Sequence, residues 1–126
     1  MVAHNINRGD IFYVDFEPRS GHEQGEVRPA VIVSSDAMNT EVLELAIVIP
    51  STRKARLDSK GRLVPNHLKV DPTPQNGLTD TSYFMGEQVR TISTDRISGK
   101  KIGRLTDAEM FELEDILIML LDLGPK

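Results

Sequence analysis

The sequence predicts a mainly β fold that ends in one helix. Five short segments rich in β-branched, aromatic and apolar residues follow one another, separated by turn residues. In the last third of the chain, the apolar residues recur at the three- and four-residue spacing of a helix. Short strands followed by one terminal helix favour a small antiparallel β-barrel, closed or nearly so, with the helix packed against it.

The predicted strands are placed by their β-forming residues and by the turns that bound them. The first follows the turn pair Gly9-Asp10, where we expect Asp10 to cap backbone donors. The last contains Gly86, a position for a bulge or bend, and leads into a short helical turn at residues 93–98. These strands span residues 11–16, 30–34, 43–50, 67–70 and 82–92.

The terminal helix has recognisable start and stop signals. Thr106 and Glu109 form a capping-box pattern, and Gly124-Pro125 ends the helical pattern. The apolar stripe between these signals consists of Met110, Leu113, Leu117, Leu120 and Leu121.

Length and composition restrict the class of protein. A chain of 126 residues fits a single domain over residues 1–126, and the absence of cysteine excludes disulfides and thiolate metal sites. The first ten residues lack the apolar stretch of a signal peptide, and the longest apolar run, residues 116–121, is too short to span a bilayer. We therefore expect a cytoplasmic protein with no membrane association.

Charge is unevenly distributed along the chain. The net charge of −4 argues against a general nucleic-acid coat, but basic residues cluster at 53–62 and 96–104, and acidic residues cluster at 107–122. The two longest predicted loops, residues 17–27 and 51–66, emerge beside strand ends, where small barrels commonly bind ligands.

Arg28 and Thr52 stand at the ends of these loops. Because Arg28 precedes a proline, it should be extended, and its guanidinium suits phosphate binding. The same arginine could instead pair with Glu23 or Glu26. Thr52 and the preceding Ser51 place two hydroxyls at the end of the third strand, although such a pair also commonly caps a turn.

Three blocks of sequence resemble the MazF/PemK toxin family. They are RGDIFYVDFEPRSGHEQGEVRPAVIVSSD at residues 8–36, IVIPST at 47–52 and GEQVRTISTDRI at 86–97, in the family's order and at nearly its spacing. The long first block is highly specific, and the resemblance covers almost the whole chain. Residues 53–65 are the least family-like part.

The resemblance implies an SH3-like antiparallel barrel of the MazF/CcdB/Kid type with a C-terminal helix, assembled as a homodimer. It implies a toxin that cleaves single-stranded RNA at specific sequences without a metal or other cofactor. The implied partners are single-stranded RNA, a cognate antitoxin and a second copy of the chain.

The family's catalytic arginine and threonine fall on Arg28 and Thr52. Arg28 suits stabilisation of charge on the phosphate oxygens, whereas its high pKa suits it poorly to proton transfer. Glu23 is the first candidate for a base and could equally orient Arg28. His22 stands where a serine is commoner, and it either carries a proton or only alters the loop surface. Predicted RNA contacts are His22, Gln24, Ser51, Arg53, Lys54 and Arg56.

Other residues receive structural interpretations. His4 and His67 have no partners at metal-ligand spacing, so no metal site is expected. Tyr13 and Phe16 are expected in the core rather than stacked on bases, and Gln88 and Arg90 in structural or dimer contacts.

Two other functions compete with the ribonuclease. A gyrase-binding CcdB-like toxin would need a tryptophan near its C-terminus, and this chain has none. A non-catalytic SH3-like adaptor would need an aromatic-lined peptide groove, but aromatics make up only 5% of the chain.

Overall fold

A computed structural model describes residues 5–16, 26–40 and 42–125 of the chain. It contains seven strands and one α-helix in that part of the sequence. The strands are β1 (Asp10–Asp15), β2 (Val27–Ile32), β3 (Leu45–Thr52), β4 (His67–Val70), β5 (Ser82–Met85), β6 (Arg90–Ser93) and β7 (Ile97–Arg104), and the helix is α1 (Asp107–Leu121).

The strands form one antiparallel sheet in the order β4-β5-β3-β2-β1-β7, with β6 also paired to β3. The predicted class, a mainly β chain with a C-terminal helix, is confirmed. The sheet is not closed, however, since β4 and β7, which end this order, do not pair with each other among the described strands. The segment after β4 partly covers this opening, because the Arg104 amide on β7 donates to the Gln75 carbonyl at 3.1 Å.

The predicted strand at residues 82–92 is interrupted. β5 and β6 both pair with β3, and a 3₁₀ helix over Gly86–Gln88 separates them. A side chain at Gly86 would lie 2.5 Å from Ile116 of α1, so the absence of a side chain lets the helix pack closely at the bend. The bend was correctly predicted, but a single continuous strand was wrong.

β7 was not predicted at all. Its sequence, ISGKKIGR, carries two glycines and three cations, and only Ile97 within it is buried. The strand is held by pairing with β1 rather than by an apolar pattern of its own. The predicted turn before it is confirmed as a 3₁₀ helix over Thr94–Arg96.

Alternation along β1 divides the core between the two faces of the sheet. Ile11 belongs to a cluster that includes Met110 and Leu113 of α1. Phe12 and Val14 belong to a second cluster that also contains Phe16, Ala30, Ile32, Ala46, Val48, Ile92 and Ile97. The expectation of a core position is therefore confirmed for Phe16.

The predicted capping box of α1 is confirmed. The Glu109 amide donates to Thr106 Oγ1 at 3.1 Å, and the Thr106 amide donates to Glu109 Oε1 at 2.8 Å. The helix ends at Leu121 with Asp122 in the left-handed conformation, before the predicted stop at Gly124. No helix in the described ranges is long and apolar enough to cross a membrane.

Asp10 caps the turn before β1, as predicted. Its fully buried carboxylate accepts from the Asn7 amide at 3.0 Å. Lys101 and Arg104 of β7 lie 3.6 Å from its other oxygen. The turn is thereby joined electrostatically to the strand that pairs with β1.

His67 and Glu87 connect β4 to the 3₁₀ helix. His67 Nε2 lies 3.0 Å from Glu87 Oε2, and the Asn66 amide group donates to Glu87 Oε1 at 2.6 Å. Burial raises the pKa of Glu87, but the hydrogen bonds from His67, its own backbone and Asn66 together outweigh burial, so the pKa lies below its usual value.

Gly77 allows the segment after β4 to approach β7. Its φ is +67°, and an added Cβ would lie 2.2 Å from the Ile102 carbonyl oxygen. Gly99 has a similar φ of +74° but open space around it.

We expect Gly77→Ala to lower the free energy of unfolding by at least about 1 kcal/mol more than Gly99→Ala, because only Gly77→Ala adds a backbone clash to the strain. Chemical denaturation measures both, and equal losses would contradict this account.

The Glu87 contacts predict a pH-dependent contribution to stability. Because the pKa of Glu87 is lowered on folding, its carboxylate stabilises the protein above the unfolded-state value near 4.5, and this stabilisation is lost as the pH falls through the folded-state pKa. The difference in unfolding free energy between wild type and Glu87→Gln should therefore shrink below about pH 5. Glu112→Gln on the exposed surface of α1 is the control. The prediction would be refuted if the difference in unfolding free energy between wild type and Glu87→Gln stayed constant with pH.

Candidate functional site

A cavity of about 410 Å³ lies where the first residues of β2 meet the end of β3. The segment around residues 78–82 forms another part of its wall, and Tyr13 and Ile102 contribute from β1 and β7. The residues that line it are Tyr13, Glu26, Val27, Arg28, Pro29, Ser51, Thr52, Arg53, Lys54, Leu78, Thr79, Asp80, Ser82 and Ile102.

The β2–β3 ladder brings Arg28 and Thr52 together. Ala30 lies opposite Pro50 in that antiparallel register. Continuing the same register by two residues places Arg28 across from Thr52 on the same side of the strand pair. The two side chains predicted as the catalytic pair therefore line one cavity through strand pairing, although their separation in the sequence is large.

Arg28 is part of β2 and is half-buried. Its backbone is extended as expected before proline, and its Nη1 donates to the Ser51 carbonyl oxygen at 3.0 Å. This contact orients the guanidinium within the cavity wall. Glu26, one of the two carboxylates considered as its partner, lines the same cavity.

Thr52 ends β3 and pairs with Tyr83 of β5. Its hydroxyl oxygen accepts from the Lys54 amide at 3.3 Å. The hydroxyl thus caps the turn, as one interpretation of the sequence had it, and it also faces a cavity lined by Arg28. The two interpretations of Thr52 are compatible in the structure.

Ser51 holds the two strands together at this point. Its side chain is buried, and its hydroxyl donates to the Pro29 carbonyl oxygen at 2.8 Å. The hydroxyl that was a candidate RNA contact is therefore engaged in a contact between β2 and β3. This hydrogen bond also fixes the position of the Ser51 backbone carbonyl, which accepts from Arg28.

The candidate RNA-binding cations are distributed between the cavity and the adjacent loop. Arg53 and Lys54 line the cavity, whereas Arg56 is exposed farther along the loop. Arg53 Nη1 lies 3.5 Å from Asp80 Oδ2, and both side chains are largely exposed. His22, Glu23 and Gln24 lie outside the described residues, so their predicted roles stay predictions.

The loop after β3 has structure of its own. Leu57 and Leu63 form an isolated antiparallel bridge around a turn whose centre is organised by Asp58. The Asp58 carboxylate accepts from the Lys60 and Arg62 amides at 2.8 and 3.0 Å. These two backbone hydrogen bonds, the Arg62 one first, hold the pKa of Asp58 below its usual value. The basic loop is therefore a short hairpin held by a charged carboxylate.

Several residues of the cavity were missed or misassigned from the sequence. Tyr13 was expected in the core, but it is 41% exposed and lines the cavity. Alternation along β1 gave no signal for this, because it places Tyr13 on the same face as Ile11, which is buried in the core. Asp80 and Leu78 gave no sequence signal, since the fold of the segment after β4 brings them to the site.

No cluster of three or more metal-ligating side chains occurs among residues 5–16, 26–40 and 42–125. His67, in particular, contacts Glu87 on the 3₁₀ helix rather than a second histidine.

Arg90 has a structural contact, as predicted. Its guanidinium lies 5.6 Å from the centre of the Phe16 ring.

Comparison with known proteins identifies one family. The model of the PemK-like, MazF-like toxins of type II toxin-antitoxin systems matches residues 7–121. Endoribonuclease MazF9 of Mycobacterium tuberculosis is 33% identical over 122 residues, covering 94% of this chain and 98% of the relative.

Solved structures agree in fold. MazF from Deinococcus radiodurans superposes with a TM-score of 0.78 at 22% identity, covering 96% of this chain and 100% of the other. An endoribonuclease from a mycobacterial species, solved in complex with its cognate antitoxin, gives a TM-score of 0.72 at 22% identity and covers 95% and 98% of the two chains.

Proposed function

The chain belongs to the PemK-like, MazF-like toxin family, and we propose from that premise that it is an endoribonuclease that cleaves single-stranded RNA at specific sequences. The observation that carries the proposal is the shared cavity of Arg28 and Thr52. An arginine and a hydroxyl beside two further cations, Arg53 and Lys54, form a site suited to a phosphodiester.

We propose that cleavage uses the RNA's own 2′-hydroxyl. Its oxygen attacks the adjacent phosphorus as the bond to the 5′-oxygen breaks, leaving a 2′,3′-cyclic phosphate and a 5′-hydroxyl. The reaction needs a base for the 2′-hydroxyl, stabilisation of the charged phosphorane and a proton for the leaving oxygen. No metal is required in this scheme, because each of these roles can be filled by a side chain.

Arg28 fits the stabilising role. Its guanidinium is held by the Ser51 carbonyl, so it is oriented before substrate arrives, and orientation in advance increases its effect on the transition state. Thr52 fits the role of positioning a phosphate oxygen or the 2′-hydroxyl by hydrogen bonding. Glu23 remains the proposed base, with orientation of Arg28 as its alternative role and His22 as the rival proton carrier.

The partners follow from the toxin function. Cleavage of messenger RNA in the cytoplasm would stop translation and growth, so a cognate antitoxin is needed to neutralise the enzyme. We propose an antitoxin with a disordered acidic tail that competes with RNA for this cavity, because Arg28, Arg53 and Lys54 would attract carboxylates as well as phosphates.

We also propose that the protein is a homodimer. Large apolar side chains are exposed on α1 and just after it, where a monomer would leave them in water. They are Phe111, Ile118, Met119, Leu120, Leu121 and Leu123.

Arg28→Ala should lower kcat/KM for a single-stranded RNA by at least about 100-fold, because a preorganised charge on the phosphorane is lost. Circular dichroism and the melting temperature should stay unchanged. Lys100→Ala, which removes one exposed positive charge outside the cavity lining, should cleave like wild type.

Cleavage by the wild-type protein should persist in excess EDTA, and it should stop when the attacking 2′-hydroxyl of the RNA is replaced by hydrogen. Full activity of Arg28→Ala, or loss of wild-type activity in EDTA, would overturn this mechanism.

Sedimentation equilibrium should give twice the chain's 14.0 kDa mass at micromolar concentration. Ile118→Glu and Met119→Glu place a charge among the exposed apolar side chains of α1 and should shift the protein to monomer. Glu112→Gln, elsewhere on the exposed surface of α1, should leave the mass unchanged. A wild-type monomer would disprove the dimer, and dimeric glutamate variants would place the contact elsewhere.

A further inference from the structure

Tyr13 is an exposed aromatic residue in a strand whose other apolar side chains are buried. Ile11, Phe12 and Val14 all belong to the two core clusters, and Tyr13 belongs to neither. It is 41% exposed and lies opposite Pro29 of β2 and Ser98 of β7. The Tyr13 ring therefore does not contribute to the buried core.

The ring lines the cavity that holds Arg28 and Thr52. Charged and hydroxyl side chains form much of the rest of that lining, and Tyr13 is the one aromatic residue among the described residues that line it. A nucleotide combines a charged phosphate with a flat base, and the two parts call for different contacts. A cation and hydroxyls suit the phosphate, whereas an aromatic ring suits the face of the base.

We propose that Tyr13 stacks on one unpaired base of the RNA, beside the phosphate bound by Arg28 and Thr52. This inference rests on the proposed ribonuclease function and adds a substrate-selecting residue to it. A ring in this position reaches a base only when that base has left its own stack, as bases in a single strand do readily. Tyr13 thereby favours single-stranded over double-stranded RNA, with little preference among the four bases, since every base has an aromatic face.

The tyrosine content of the chain permits a direct test of stacking. The protein has two tyrosines and no tryptophan, so Tyr83→Phe leaves Tyr13 as the only strong fluorophore. The probe is a single-stranded DNA version of a cleaved RNA sequence, which lacks the attacking 2′-hydroxyl and should bind without being cut. Its binding should quench the fluorescence of Tyr83→Phe. The matched variant Tyr13→Phe, in which only Tyr83 emits, should be quenched much less.

Affinity supplies a second measurement. Tyr13→Ala and Tyr13→Leu should weaken binding of the DNA probe by about 5- to 150-fold, the range expected for loss of one stacked base, whereas Tyr13→Phe should stay within about twofold of wild type. Both variants should raise the KM for single-stranded RNA by a similar factor. They should also reduce the ratio of kcat/KM for single-stranded RNA to that for a duplex of the same sequence. Since Tyr13 lies outside both core clusters, the melting temperature should stay close to that of wild type.

The outcomes separate this inference from the function on which it rests. If wild type cleaves RNA and Arg28→Ala does not, while Tyr13→Leu binds and cleaves like wild type and Tyr83→Phe shows no quench, the stacking role is wrong and the ribonuclease stands. If wild type neither binds nor cleaves RNA, both are wrong. A loss in Tyr13→Phe as large as that in Tyr13→Leu would show that the hydroxyl acts rather than the ring, and would also overturn stacking.

Discussion

The site depends on the register between β2 and β3. Pro29 has no amide hydrogen to offer a neighbouring strand, and the Ser51 hydroxyl supplies an interstrand hydrogen bond at this level by donating to the Pro29 carbonyl. The Ser51 carbonyl in turn accepts from Arg28. A shift of one residue would turn Arg28 and Thr52 to opposite faces of the strand pair, so the register is what makes them one site.

The elements that the sequence predicted well carry strong local signals. The capping box of α1 and the alternation of β4 involve residues a few positions apart, and the structure places both within a residue or two of expectation. β7 has no such signal, and Gly86 marks a bend without indicating that the bend divides the strand. Each is determined by a distant partner, β1 in one case and Ile116 of α1 in the other, which local patterns do not reveal.

The same distinction applies to the site. Arg28 and Thr52 could be singled out only by family resemblance, since an arginine before proline and a threonine after a strand have ordinary structural uses. Alternation along β1 could not have assigned Tyr13 to the cavity, because Tyr13 shares its face with Ile11, which is buried in the core. Asp80 and Leu78 depend on the path of the chain after β4 and its close approach to β7 at Gly77, which is a tertiary contact.

The negative net charge is compatible with an anionic substrate because electrostatic attraction in salt is local. At physiological ionic strength, charges more than about 8 Å apart are largely screened. Arg28, Arg53 and Lys54 lie in the cavity wall, whereas the five acidic residues of α1 are not part of that wall. Glu26 and Asp80 are acidic residues of the same wall, and Asp80, 3.5 Å from Arg53, offsets part of that cation's charge. In the proposed function, phosphate binding therefore relies chiefly on Arg28, whose guanidinium is oriented by the Ser51 carbonyl. The proposed stacking on Tyr13 adds binding that does not depend on charge.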